Sequence, residues 1–436
     1  MSSATATTLT YPVSYPQESL WARSGLSAIN VPAVVRFRGR LEMGPMLRVL
    51  DTVVARHGVL RTVLGRSPDG SLEQRVAPTG SLEIDSIRRD GMLEDGLAGV
   101  LLAGSERPFR LDGAPLARAE LHSFGPDDHV LIVWMHHAIS DLASSSLLAD
   151  EIRQLHAGAG LAPVASQMSD YAVRERAIRA DPEQQRYWTD ALRSADGRLG
   201  LPDSASDEHL AVRPALPLLS GDVVASLEIL AASRRTTLAA VLAAAAIAVH
   251  VREAAAGRVV IGLTVSNRDL PRFRSTLGCL ADQLPLVVDI AGDPTFGELL
   301  GRVREALLDA YDYRLPLGVL LGWLGRQKPP VFAVNMNFVP PQRNRPDLVE
   351  AGNGRASGLE LPYGIVKTRP DPWWLGDAVL AYRPRIDRRG LGGEIEGDGA
   401  VHDAETVSRY GGRFCALLAR VATNPEVTVS NLVGRD

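Results

Sequence analysis

The stretch HVLIVWMHH, His129 to His137, constrains this chain more than any other: a continuous apolar run that stops on two adjacent histidines. Strands exposed on one face alternate apolar and polar residues, whereas an unbroken run marks a strand covered on both faces. The next segment, DLASSSLLADEIRQLHAG from Asp141 to Gly158, has a helical pattern. Ser140 or Asp141 can cap its first turn, and Gly158 closes it. A buried strand, a short polar bend and a helix together predict an α/β architecture.

Neighbouring side chains on a strand point to opposite faces. His136 and His137 therefore cannot both line one cavity while the strand stays regular, which argues against a shared metal. Neither an HExxH helix nor a CxxC pair accompanies them. One histidine is expected to be structural and the other presented to a cleft. Asp141 reads either as a helix N-cap or as a carboxylate that holds the bend. His137 reads either as a satisfied buried histidine or as a general base, since an unperturbed pKa of about 6.5 suits proton transfer near neutrality. Ser144, Ser145 and Ser146 invite a nucleophile reading, but they fall inside the expected helix and the chain has no GxSxG elbow.

The same element types recur along the chain. LEMGPMLRVLDTVVARH, residues 41–57, has one apolar helical face, and PLARAELHSF reads as a strand. Helical segments flank Pro182, and LPDSASDEHLAVRPALP, rich in Pro, Ser and Asp, reads as a linker between lobes. Then come a helix from Gly221 to Ser233, an Ala-rich helix from Leu238, the strand RVVIGLTV, a polar turn at SNRD and a helix from about Thr295 to Arg314. VFAVNMNFV predicts a strand, AVLAYRPRID with GLGGEIEG predicts a hairpin, and a last helix spans Ala404 to Ala422. At 436 residues the chain is long for one core, so two lobes are expected. The boundaries are residues 10–180 for an N-terminal lobe, and 181–436 for a C-terminal lobe that carries the VSNR segment and elements crossing back.

Composition excludes several classes. With 45% hydrophobic and 22% charged residues the chain is that of a globular protein, and a net charge of -4 gives no reason to expect nucleic acid as partner. Two cysteines, Cys279 and Cys415, are too few for a disulfide framework and read as reduced thiols in a cytoplasmic protein. The N-terminal residues lack the basic and apolar regions of a signal peptide. The most apolar stretch, Leu238 to Val251, has 14 residues, short of the roughly 20 that span a bilayer, so no membrane partner is expected.

MHHAISDL, Met135 to Leu142, resembles the HHxxxDG signature of the condensation domains of nonribosomal peptide synthetases. Other stretches follow in the family's order. SYPQESLW resembles the opening SxAQxRLW with Ser19 in place of arginine, and RHGVLRTVL is similar to RHExLRTxF. SDYAV and QQRYWTDAL match the segment after the first lobe. IGLTVSNRD resembles IGxPVxNR, LGCLADQLPLVVDI resembles GxFVNTLPLR, and YDYRLPLGVLL resembles a degenerate HQDxPFExLV. The tail GDGAVHDAETVSRYGGRF fits the closing strand and helix.

The resemblance implies two chloramphenicol-acetyltransferase-like α/β sandwich lobes in a V-shaped pseudo-dimer, with the active site at their junction. It implies His137 as the catalytic histidine, His136 as support for the bend, and Asp141 as a mainly structural carboxylate paired with Arg268. The resemblance also implies a tunnel that donor and acceptor thioesters enter from opposite ends, with Leu142, Ser19 and Asn337 as candidates for lining it. Leu142 replaces the signature glycine, and a leucine there is strained only if the position requires positive φ. The implied activity is that of a free-standing condensation enzyme passing a carrier-bound aminoacyl or acyl group to an amine or alcohol acceptor, itself carrier-bound or free. The partner is a discrete peptidyl or acyl carrier protein that brings phosphopantetheine; the chain binds no cofactor or metal of its own. Alternatives are an acyltransferase fed by acyl-CoA or a polyketide carrier, a non-catalytic recruitment domain and, less so, epimerisation.

Overall fold

The structure is a computed structural model that describes residues 7–22, 30–91, 93–110, 115–195, 211–251, 257–323, 332, 334–338, 349–351, 354–358, 379–399 and 401–432. The chain divides into two compact units. The first comprises Met1–Ile178, Ser266–Asp282 and Arg343–Lys367; the second comprises Arg179–Val265, Gln283–Gln342 and Thr368–Asp436.

The apolar run forms the strand Asp128–His136 in a six-stranded sheet of the first unit. Antiparallel neighbours flank it, Asn30–Arg38 on one side and Ala117–Ser123 on the other. Ile84–Arg88 runs parallel to Ala117–Ser123 at one edge, and Gly354–Gly358 extends the other edge by pairing with Asn30–Arg38. Every residue from His129 to His136 is buried, as expected of a strand covered on both faces. The helices Met43–Arg56, Leu93–Glu106 and Leu142–His156 belong to this unit. Gly104 allows close packing on the sheet, because an added Cβ would lie 2.0 Å from the Trp134 ring. Asn30 Nδ2 donates to the carbonyls of Gly104, Ser105 and Arg107 at 3.0, 3.1 and 2.7 Å, meeting acceptors that the end of Leu93–Glu106 leaves open. A separate antiparallel sheet of three strands places Leu72–Val76 between Leu9–Pro12 and Thr62–Arg66.

The second unit has its own sheet, in the order Asp282–Asp289, Arg258–Val265, Val334–Met336, Leu380–Asp387, Gly390–Asp398, Ala211–Val212, with Leu219–Ser220 also pairing Gly390–Asp398. The hairpin expected at 378–397 is present as Leu380–Asp387 and Gly390–Asp398. The strand expected over VFAVNMNFV is shorter, Val334–Met336; residues 331, 333 and 339 lie outside the described residues. The linker expected at 201–217 falls partly outside them too, but Ala211–Val212 and Ala215 pair with the Gly390–Asp398 strand, so its second half is sheet edge. The Ala-rich helix is Leu238–His250, and from Ala240 to His250 every residue is buried. Small side chains there let the helices Gly221–Ser233, Phe296–Asp312 and Ala404–Val421 approach it closely. Among the described residues no single helix is long and apolar enough to cross a membrane.

Candidate active site

The strand Asp128–His136 ends because its last side chain starts a turn. His136 is fully buried, its backbone N–H reaches Leu116 O at 2.8 Å, and its Nδ1 accepts from Ala138 N at 3.0 Å. The ring thus caps a 3₁₀ turn over His137–Ile139. That turn takes His137 out of the strand's alternation and leaves it half-buried, while Ala138, Ile139 and Ser140 are buried. Gln17 Nε2 donates to Ala138 O at 3.0 Å and holds the turn from outside. Ser140 then returns to extended backbone, and Asp141 caps the helix Leu142–His156 by accepting from Ser144 N at 2.8 Å.

Asp141 also takes the second reading. Arg268 grips it with two parallel hydrogen bonds, Nη1 to Oδ2 at 2.8 Å and Nη2 to Oδ1 at 2.9 Å. The Ser144 hydroxyl lies 2.8 Å from Oδ1, and Leu280 N and Ala281 N donate to Oδ2 at 3.1 and 3.2 Å. Burial disfavours the charged carboxylate, but the Arg268 charge, its hydrogen bonds and those from Ser144 outweigh burial and hold Asp141 below the usual carboxylate range. A carboxylate with six donors is a poor proton acceptor and an effective anchor. Arg268 is fixed in turn by Thr276 O at 3.1 Å and Ser266 O at 3.2 Å. Asn267 just before it has φ 56°, and its Nδ2 donates to Leu280 O at 2.6 Å.

Ser144 is structural in this arrangement. Its hydroxyl accepts from Gly278 N at 2.9 Å and from Arg268 Nη2 at 3.0 Å, and it is fully buried. Ser145 Oγ is turned to Pro32 O.

Cys279 places its sulfur 3.6 Å from His137 Nδ1. Burial, with the negative charges of Asp141, Glu175 and Asp282, pushes the thiol well above its ordinary pKa, so it is a neutral S–H near pH 7. Glu175, on the helix Met168–Ala177, is 1% exposed. It accepts from Tyr15 N at 2.7 Å and Tyr171 Oη at 3.1 Å. Burial and the charge of Asp282 push Glu175 up to about 7.

The structure brings His136, His137, Asp141 and Arg268 together within the first unit. Leu142 is the first residue of its helix, is 38% exposed and is not at positive φ, so replacing glycine costs the backbone nothing there. Ser19 is half-buried on the helix Tyr15–Ala22. Asn337 belongs to the second unit, where its N–H reaches Tyr382 O at 2.8 Å. Sequence reasoning missed Gln17, Ser144, Glu175 and Cys279 as parts of the site. Gln17 and Cys279 lie inside motifs quoted above, but a motif does not reveal what a side chain touches. Among the described residues no group of three or more His, Cys, Asp or Glu could hold a metal ion.

The family model described as Condensation domain matches residues 8–434, and the chain belongs to the condensation domain family. Surfactin synthase subunit 1 of Bacillus subtilis (strain 168) is 28% identical over 97% of the chain. The match covers 12% of that relative, so the chain spans about an eighth of its length. Among solved structures, the chain superposes on the X-domain in its complex with OxyB from teicoplanin biosynthesis with a TM-score of 0.78. The identity is 22%, covering 100% of this chain and 97% of that one. The SgcC5 protein from Streptomyces globisporus gives a TM-score of 0.79 at 19% identity, covering 96% and 100%. These likenesses establish the chloramphenicol-acetyltransferase-like fold.

Proposed function

We propose that this chain transfers the acyl group of a carrier-bound thioester to an amine or alcohol, forming an amide or ester, with His137 as the general base. The observation that carries this reading is one of elimination around a single imidazole. Asp141 is saturated by six donors and held ionised, Ser144 is locked among Asp141, Arg268 and Gly278, and Cys279 is a buried neutral thiol. His137 is half-buried, on a turn fixed by His136 and Gln17. We assign the tautomer with Nδ1–H toward the Cys279 sulfur, which makes Nε2 the basic nitrogen.

The acceptor N–H or O–H hydrogen-bonds to Nε2 and attacks the thioester carbonyl carbon. The proton passes to Nε2 as the new C–N or C–O bond forms. Collapse of the tetrahedral species breaks the C–S bond, and the imidazolium returns the proton to the departing thiolate. No acyl-enzyme is needed, since the thioester is already activated and holding both reactants in place supplies much of the rate. The base adds about 10²–10⁴-fold. Phosphopantetheine enters on the carrier partner, and Leu142 and Ser19, both in the first unit, are proposed to line its path.

The test is intact-protein mass spectrometry of an acyl-loaded carrier with candidate amines and alcohols. Loss of the acyl mass with matching product, abolished in a folded His137→Ala variant, is the expected result. Transfer from the CoA thioester but not from the carrier would move the donor to acyl-CoA. Unchanged transfer in His137→Ala would overturn the assignment. A second reading, recruitment of a partner protein without catalysis, draws on the likeness to the X-domain in its OxyB complex. It predicts no transfer with any donor.

A further inference from the structure

The first unit contains a cavity of about 340 Å³ that the reading above does not use. One wall is a face of the three-stranded sheet. Tyr11 stands opposite Gln74 and Leu9 opposite Val76 in the register, so these four side chains share that face and line the space. Val59, Arg61 and Met168 also line it, the last being the first residue of the helix Met168–Ala177.

Two polar groups at this cavity lack a complement. Gln74 is fully buried; its Nε2 donates to Pro12 O at 2.8 Å, which fixes the amide's orientation, and among the described residues its Oε1 has no hydrogen-bond partner. A buried acceptor left so is expected to meet a donor. Arg61 donates to the carbonyls of Val54 at 2.9 Å, Ala55 at 3.4 Å and Ala77, but among the described residues forms no ion pair with a carboxylate. A guanidinium has five N–H donors, so two remain, along with the whole charge. Arg56, also in the lining, is already committed to Glu151 and Ala162 O.

We propose that this cavity binds a small carboxylate that carries an amide N–H on an apolar body, as an N-acylated amino acid does. The carboxylate meets the two open donors of Arg61, the N–H meets Gln74 Oε1, and the side chain packs on Leu9, Val59, Val76 and Met168. The volume lies in the range of small-molecule sites.

Methyl-labelled methionine supplies the test, because Met168 lines the cavity and a Met168→Leu spectrum assigns its signal. N-acetyl-L-leucine is the probe and its methyl ester the uncharged control. A saturable shift of the Met168 methyl is expected with the acid and not with the ester. Gln74→Leu should weaken binding about tenfold, the loss of one buried hydrogen bond. Should Gln74→Leu fail to fold, Leu9→Trp replaces it: Leu9 is 55% exposed on an edge strand, and the larger ring fills the space and blocks binding. An unmoved Met168 signal overturns the proposal. So does a shift of equal size with acid and ester, or equal affinity in the variant, since the orphan oxygen and the arginine charge would then be met by solvent.

Discussion

The Cys279 sulfur rests 3.6 Å from Nδ1 of His137, joining a thiol and an imidazole that lie 142 residues apart in the sequence. The pair has the composition of a cysteine–histidine dyad, yet its environment denies it that chemistry. A nucleophilic thiolate needs positive surroundings and access, whereas Cys279 is buried and faces the negative charges of Asp141, Glu175 and Asp282. Cys279→Ala is therefore expected to keep transfer activity within about tenfold of the parent, the scale of one lost hydrogen bond. Iodoacetamide at neutral pH should leave the proposed transfer unaffected. Stoichiometric inactivation by alkylation of Cys279 would instead mark a covalent intermediate.

The two histidines should separate activity from stability. His137→Ala is expected to lower the transfer rate by about 10²–10⁴-fold with little change in Tm. His136 is fully buried and caps the turn through Ala138 N, so His136→Ala should lower Tm by leaving that N–H unmet. Thermal unfolding and single-turnover transfer on both variants check the separation.

Asp141→Ala strands the Arg268 guanidinium and should destabilise the first unit by about 3–5 kcal/mol. Joint replacement, Asp141→Leu with Arg268→Leu, should recover part of that loss because neither charge is left alone. Urea unfolding of the single and double variants measures the coupling. Equal losses in single and double variants would show that the fork holds nothing together.

Two carboxylates give opposite pH responses. Asp141 has a lowered pKa in the folded state, so its contribution is present above its unfolded value of about 3.9 and is lost as pH falls through the folded one. Glu175 is raised from 4.5 to about 7, so the folded state suits its protonated form. Stability is retained below the unfolded value and falls as pH rises through about 7, by about 3 kcal/mol at full ionisation. Glu175→Gln keeps a carbonyl acceptor for Tyr15 N and turns an amide N–H, a donor, to the Tyr171 hydroxyl, without the charge. It should raise Tm at pH 8 and change it little at pH 5; equal shifts at both would remove the titration from the account.

Much of the first unit's centre was legible. The run from His129 to His137 specified a buried strand, and Asp141 at a strand-to-helix bend specified a cap. The helix Gly221–Ser233 and the strand Arg258–Val265 match their expected bounds. The short strands Leu9–Pro12 and Leu72–Val76 were not found, because a small sheet's identity lies in its partners rather than in its own pattern. Pairing of Gly354–Gly358 with Asn30–Arg38 was equally hidden, as no local signal reports a neighbour more than three hundred residues away. At the site, the arginine was reached through its motif. Ser144, Glu175 and Cys279 were not, since burial and contact belong to the folded chain.

The segment Ser266–Asp282 that supplies Arg268, Gly278 and Cys279 is encoded far downstream of the histidine strand, the fork's two ends lying 127 positions apart. During synthesis both histidines therefore leave the ribosome well before their clamp exists. Pairing across so long a loop is slow, and a chain interrupted before residue 282 would carry the histidine signature while lacking the fork and the thiol that hold it in place.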